Sequence, residues 1–233
     1  NTREVFWESV DIIRGLWYNE TFSYNGKYFQ LEDVRLTPKP VQKRIPFYLA
    51  AISPQTFDIA VEKKMNEFMV TPTLMVMDEL KKFIVRTREK FIQQGMEPKV
   101  HMNLQMNIAD TPEQAIKNVE HEMKLYFETV LKIIPGAGGT KVPKTYEQFG
   151  EVAKSFTGPI DVKGLNETGI TLLEDSENAI KKLEDIENVG VNSLSCWFRM
   201  GGMEHRKVMR TMKKFADEVM PYFKPAEKVT VTQ

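Results

Sequence analysis

The 233 residues carry 32 basic and 32 acidic side chains and are neutral overall. That balance argues against a general nucleic-acid surface, which would show a basic excess, and no apolar run approaches the roughly 20 residues of a membrane span. A single cysteine, Cys196, excludes an internal disulfide and points to a reducing compartment, taken here as the cytoplasm.

The first residues, NTREVFWESV, are neither a signal peptide nor a start methionine and read as the inside of a helix. The expectation is a chain that begins partway through a larger protein. Residues 3–18 keep Val5, Phe6, Val10, Ile12, Ile13, Leu16 and Trp17 near helical spacing. Residues 21–37 alternate around Asn25-Gly26, which predicts a hairpin with a type I′ turn. Pro38-Lys39-Pro40 then leads into an almost wholly apolar run, Ile45–Ile52, the pattern of a parallel strand buried on both faces.

The seam that follows reads FYLAAISPQTFDIAVEKK over 47–64. Ser53-Pro54 stands between the strand and a helical pattern. One reading is capping, since Ser is a good N-cap and Pro suits the first helical position. The other is an anion site, because a helix N-terminus offers unpaired N–H groups and Ser53 and Thr56 add two hydroxyls.

The alternation of elements then continues. Residues 67–71 form a short strand, 76–94 an amphipathic helix ended by Gly95, and 99–108 an alternating strand. Asp110 or Thr111 caps a helix that opens near Pro112. Residues 134–169 concentrate glycine and proline and read as a long excursion with one short helix near 145–154. Asp175-Ser176 caps a helix to about Asn188, residues 191–198 form a strand, and a final helix runs from about Met203 to Phe223. This order predicts an α/β fold with four parallel strands, half of a (β/α)₈ barrel, plus the hairpin. The whole is expected to be a single domain over 1–233, N-terminally incomplete, with 134–170 a loop insertion.

At this point the sequence resembles the bacterial luciferase-like flavin monooxygenases, specifically their C-terminal portion. Three stretches carry the resemblance: FWESVDIIRGLW at 6–17, FSYNGKYFQLEDVRLTPKPVQKRIPFYLAAISP at 22–54, and GVNSLSCWFRMGGMEHRKVMRTMKKFADEVMPYF at 190–223. It implies a TIM barrel that binds reduced FMN, or in one branch a deazaflavin, across the C-terminal mouth. It implies that hydroxyls in an Ala-x-Ser-x-x-Thr pattern, here Ala51, Ser53 and Thr56, hold the phosphate. It also implies a reductase partner that supplies reduced flavin, and a homo- or heterodimer. The family's usual catalytic histidine and phosphate-binding arginine lie on strands this sequence lacks, so no catalytic residue is assigned.

Other candidates come from position. Trp197 and Arg199 lie toward the C-terminal end of the last strand, where barrel enzymes place their sites, and would touch the flavin ring or the substrate; packing is an equal alternative. Thr71 and Pro72 end another strand at that side. Asn103, Gln105 and Asn107 share one face of their strand, lining the mouth or marking the solvent side of an edge strand. His101, His121 and His205 fit no catalytic motif, and Cys196 reads as packing. No metal-ligand cluster, P-loop or dinucleotide fingerprint is present.

Three readings follow. The first is an enzyme that uses reduced flavin and O₂ to oxidise a small organic substrate such as an aldehyde, with the long excursion as a lid. The second is a non-catalytic luciferase-like partner subunit. The third is a fragment, inactive alone, whose open sheet edges drive association. The favoured expectation joins the first and the third.

Overall fold

A computed structural model describes residues 2–51, 54–133 and 158–223. The chain divides into two units, one built on the residues up to Pro46 and one running from Phe47.

In the first unit, α1 (Thr2–Tyr18) is followed by an antiparallel hairpin of β1 (Phe22–Asn25) and β2 (Gln30–Val34). Gly15 lets the hairpin approach, since a Cβ there would stand 2.2 Å from the Phe22 ring. The hairpin is real, but its turn is not the two-residue type I′ that Asn25-Gly26 predicts. Asn25 pairs with Gln30, so four residues, Gly26 to Phe29, form the loop, closed by a Gly26 N–H to Phe29 carbonyl bond of 2.9 Å. The reason lies outside the hairpin. The Glu8 carboxylate accepts the backbone N–H groups of Lys27, Tyr28 and Phe29 at 2.8, 3.0 and 3.2 Å, and so organises a wider loop.

Among its described residues the second unit holds five parallel strands: β3 (Leu49–Ala50), β4 (Glu67–Val70), β5 (Lys99–Ile108), β6 (Thr171–Glu174) and β7 (Ser193–Trp197). β5 is central. β4 pairs along one edge of it. That edge is shared, with β4 at residues 99–102 and β6 at 105–108, while β7 pairs the other edge at 101–105. β6 is a fifth strand where four were expected. α5 (Val162–Glu167) occupies the end of the region read as an excursion, and β6 follows directly after that region. Residues 134–157, including the expected helix at 145–154, lie outside the described residues.

β3 is shorter than the apolar run 45–52 suggests. Pro46 has no N–H to offer a ladder, and the N–H of Phe47 goes to the Glu67 carboxylate at 2.9 Å instead of to a strand. Pairing begins only at Leu49, and its last bond runs from Ala51 N–H to the Met69 carbonyl, 2.7 Å.

Register assigns the two faces of the sheet. Phe68, Val100, Met102, Leu104 and Cys196 share one of them. Against it pack α2 (Pro54–Glu62) and α3 (Met77–Gln93), through Phe57 edge-on to Phe68 and Phe68 stacked on Phe91. α6 (Ser176–Asn188) and the last helical segment lie on the same side, around Leu183 and Phe215. That last segment is not one continuous α-helix. α7 (His205–Lys214) widens into a π-turn at Phe215–Val219 and ends in a 3₁₀ turn at Met220–Tyr222, where Pro221 cannot extend an α-helical ladder. α4 (Pro112–Ile133) buries Ala115, Val119, Met123 and Phe127 in a separate cluster with Leu173, Met200 and Met203.

Candidate functional site

The second face carries a different chemistry. Strict alternation along β5 points His101, Asn103, Gln105 and Asn107 to it, and register adds Ser193, Ser195 and Trp197 from β7 and Thr171 from β6. β5 is flanked on both edges, so the three amides do not mark the solvent side of an edge strand. Asn103 is half-buried, while Gln105 and Asn107 are buried. Burying an amide costs about 1–3 kcal/mol for each polar atom left unpaired, so a row of them in a sheet interior needs a reason.

The row has two ends. Toward the start of β7, the His101 ring lies between two hydroxyls, Nδ1 2.8 Å from Ser193 Oγ and Nε2 2.7 Å from Ser195 Oγ. The Tyr48 ring sits 5.7 Å away. Burial pushes the His101 imidazole below its ordinary value.

Toward the C-terminal ends of the strands, α4 contributes. Asn118 donates its Nδ2 to Asn107 Oδ1 at 3.2 Å, while Asn107 Nδ2 is buried without a partner, as is the Thr171 hydroxyl. Tyr126 packs edge-on against Trp197 at 5.3 Å, with its hydroxyl beside the Gln105 amide. Burial raises the Tyr126 phenol above its ordinary value, the contact with Gln105 opposing the rise, so the phenol stays protonated at neutral pH. The result is a neutral polar patch under an aromatic pair.

The candidates from sequence fall at several places. Ser53 lies outside the described residues. Thr56 is half-buried in the first turn of α2. Ala51 is fully buried, and its N–H is already donated to Met69. Trp197 ends β7, half-buried, its indole N–H bonded to the Arg199 carbonyl at 2.6 Å; the Arg199 side chain is exposed. Thr71 caps the short 3₁₀ turn Pro72–Leu74. His121 and His205 are exposed on helices. Cys196 points to the opposite face, where burial pushes its thiol up to about 11, a packing environment and not a nucleophile's. Thr171, Ser193, Ser195, Asn118 and Tyr126 were not singled out from sequence. Alternation in 193–197 signalled the two serines, but nothing local signalled the α4 residues, which reach the sheet only through the chain's return.

A parallel α/β sheet of barrel type, with a polar row that runs along one face to Asn107 near the C-terminal end of β5, is of the kind that places catalytic groups at a barrel mouth. The family model for luciferase-like monooxygenases matches residues 1–193. The chain belongs to the luciferase-like monooxygenase family. Among solved structures it is similar to the monooxygenase RslO1 of Streptomyces bottropensis, at 17% identity and TM-score 0.66, over 95% of this chain and 62% of that one. It is similar to the oxygenating constituent of 3,6-diketocamphane monooxygenase from Pseudomonas putida, a complex with FMN, at 18% identity and TM-score 0.68, over 97% and 65%. It also resembles the coenzyme F420-dependent tetrahydromethanopterin reductase of Methanopyrus kandleri, at 17% identity and TM-score 0.62, over 95% and 63%. At these identities the likeness is one of fold. The chain spans less than two thirds of the length of each of the three. No described helix is long and apolar enough to cross a membrane.

Proposed function

We propose that the protein to which this chain belongs is a flavin-dependent monooxygenase that oxidises a small organic substrate of aldehyde type. The observation that carries this reading is the neutral polar patch toward the end of β5, with Asn107 Nδ2 and the Thr171 hydroxyl buried and unpartnered. A flavin ring edge presents carbonyl and N–H groups, and uncharged amides and hydroxyls match both. Reduced flavin, when bound, supplies the two electrons that let O₂ deliver one oxygen atom to the substrate and the other to water. The chain's own part is to bind and orient. Ser53 and Thr56 would hold the phosphate at the first turn of α2; Ala51 is left a backbone role, since its N–H is engaged in the sheet. Tyr126 and Trp197 would shield the polar patch from water.

FMN, delivered reduced by a partner reductase, is the favoured cofactor. The FMN named with the P. putida structure supports it, and the F420 named with the M. kandleri reductase supports a deazaflavin as the alternative. A homo- or heterodimer, a cytoplasmic location and inactivity of this chain alone belong to the same proposal. The test is a fluorescence titration of FMN and of a deazaflavin into the protein and its Ser53→Ala, Thr56→Ala double variant. The expected result is at least a tenfold loss of flavin affinity with an unchanged unfolding midpoint. Equal affinity would overturn the assignment of the two hydroxyls, and no binding of either cofactor would overturn the reading.

A further inference from the structure

A second polar cavity lies away from the β3–α2 turn. It has a volume of about 300 Å³ and sits where the end of β5 meets the first turns of α4 and one side of α7. Lys207, Arg210 and Lys214 line it from α7. Their spacing of three and four residues stacks all three on one helix face, where like charges oppose one another.

The charge inventory of the cavity is lopsided. Asp110 is its one acidic lining residue among those described. It is already engaged, 3.0 Å from Lys214 Nζ, and Glu218 meets the same ammonium at 3.0 Å. Those two hydrogen-bonded carboxylates, Glu218 first, hold the Lys214 ammonium above its ordinary range. Lys207 and Arg210 pair with no carboxylate among the described residues.

The helix that carries the cations is anchored here. Thr211, buried between Arg210 and Lys214, accepts the Ile108 N–H on its hydroxyl at 2.7 Å, which pins this face of α7 to the end of β5. Asn118 lines the opposite wall and is fixed by Asn107. A solvated basic face would leave its cations splayed on a convex surface. Here Lys207 and Arg210, exposed and without a carboxylate partner among the described residues, both line one concavity, where their fields add.

We infer that this cavity binds an oxyanion carrying two negative charges, a phosphate- or sulfate-type group, free or borne by a small molecule. Lys207 and Arg210 are its ligands, Arg210 through its planar fork. Lys214 is the positioning residue, kept off the anion by Asp110 and Glu218. This site is separate from the phosphate position proposed at Ser53 and Thr56, and it stands or falls independently of it.

The test measures binding of inorganic phosphate, sulfate and phenyl phosphate by calorimetry, with chloride at matched ionic strength as the reference. It uses the protein, a Lys207→Gln, Arg210→Gln variant, a Lys163→Gln, Lys181→Gln variant that removes the same charge elsewhere, and the Ser53→Ala, Thr56→Ala variant. The expected result is saturable binding of the divalent anions. That binding should weaken at least tenfold in the first variant and persist in the other two. Tighter binding of phenyl phosphate than of phosphate would indicate a group carried on a larger molecule, and equal binding the free anion; either supports the site. Removing two like charges from α7 relieves repulsion, so the first variant should unfold no earlier than the parent in chloride. Equal loss in the Lys163, Lys181 variant would reduce the effect to net charge and overturn the site. Loss confined to the Ser53, Thr56 variant would move the anion to the α2 turn and overturn it as well.

Discussion

The side-chain amide of Asn166 pairs with both backbone groups of Leu173. Its Oδ1 accepts the Leu173 N–H at 2.7 Å, and its Nδ2 donates to the Leu173 carbonyl at 3.2 Å and to Glu174 Oε1 at 2.8 Å. One buried amide thus serves as a surrogate neighbouring strand for β6. An Asn166→Ala variant leaves buried donors and acceptors without partners, at about 1–3 kcal/mol for each group. We expect a loss of about 3 kcal/mol, read as a lowered urea midpoint with an unchanged slope. Asn166→Asp should also destabilise, because a carboxylate cannot donate to the Leu173 carbonyl and stands beside Glu174. A neutral Asn166→Ala substitution would show that β6 holds its place by packing alone.

The same contact explains what sequence reading missed. β5 was legible to the residue because ten positions alternate and both faces of that alternation are used. β6 offers four residues, all buried, so it has no period to detect, and a side chain from α5 completes its pairing. The hairpin was visible, but its turn was not, because Glu8 on α1 sets the loop from 19 residues away in sequence. The candidate site shows the same division. Period two put Asn103, Gln105 and Asn107 on one face. Their burial depended on β6, β7 and α4, which arrive from later in the chain.

Glu8 yields a prediction for the first unit. Desolvation tends to raise its carboxyl, but the N–H donors of Tyr28, Lys27 and Phe29 outweigh this and hold it below its ordinary value of 4.5. A carboxylate whose folded pKa is depressed stabilises above its unfolded pKa, and that stability is lost as pH falls through the folded value. The three amide resonances should therefore move together in an acid titration with a midpoint below 4.5. In Glu8→Gln that transition should vanish, and hydrogen exchange at the three amides should accelerate. A midpoint at or above 4.5 would remove the carboxylate from the loop.

Cys196 should be close to inert. Burial raises its thiol from 9.0 to about 11, which at pH 8 cuts the thiolate fraction about a hundredfold. A disulfide reagent should label the native protein slowly and the guanidinium-unfolded chain quickly. Since the folded pKa is the higher one, the thiol's contribution to stability is complete below 9.0 and is lost as pH rises toward 11. Fast native labelling at pH 8 would contradict the packing role.

His101 provides the sharpest test of the polar face. Burial places its folded pKa below the ordinary 6.5, so between the two values the unfolded chain binds more protons than the folded one. Its contribution to stability is therefore full above 6.5 and is lost as pH falls through the folded pKa. Replacing it with glutamine should flatten the stability profile on the acid side. The two serines should act with opposite sign. A neutral imidazole has one N–H and one bare nitrogen, so one serine accepts from the ring and the other donates to it. Removing the donor withdraws support from the neutral ring and raises the pKa, whereas removing the acceptor lowers it. The ring proton resonances of Ser193→Ala and Ser195→Ala, titrated against the parent, should shift their midpoints in opposite directions. Which variant moves upward also identifies the tautomer. Shifts of the same sign would mean that the ring is not held between the two hydroxyls.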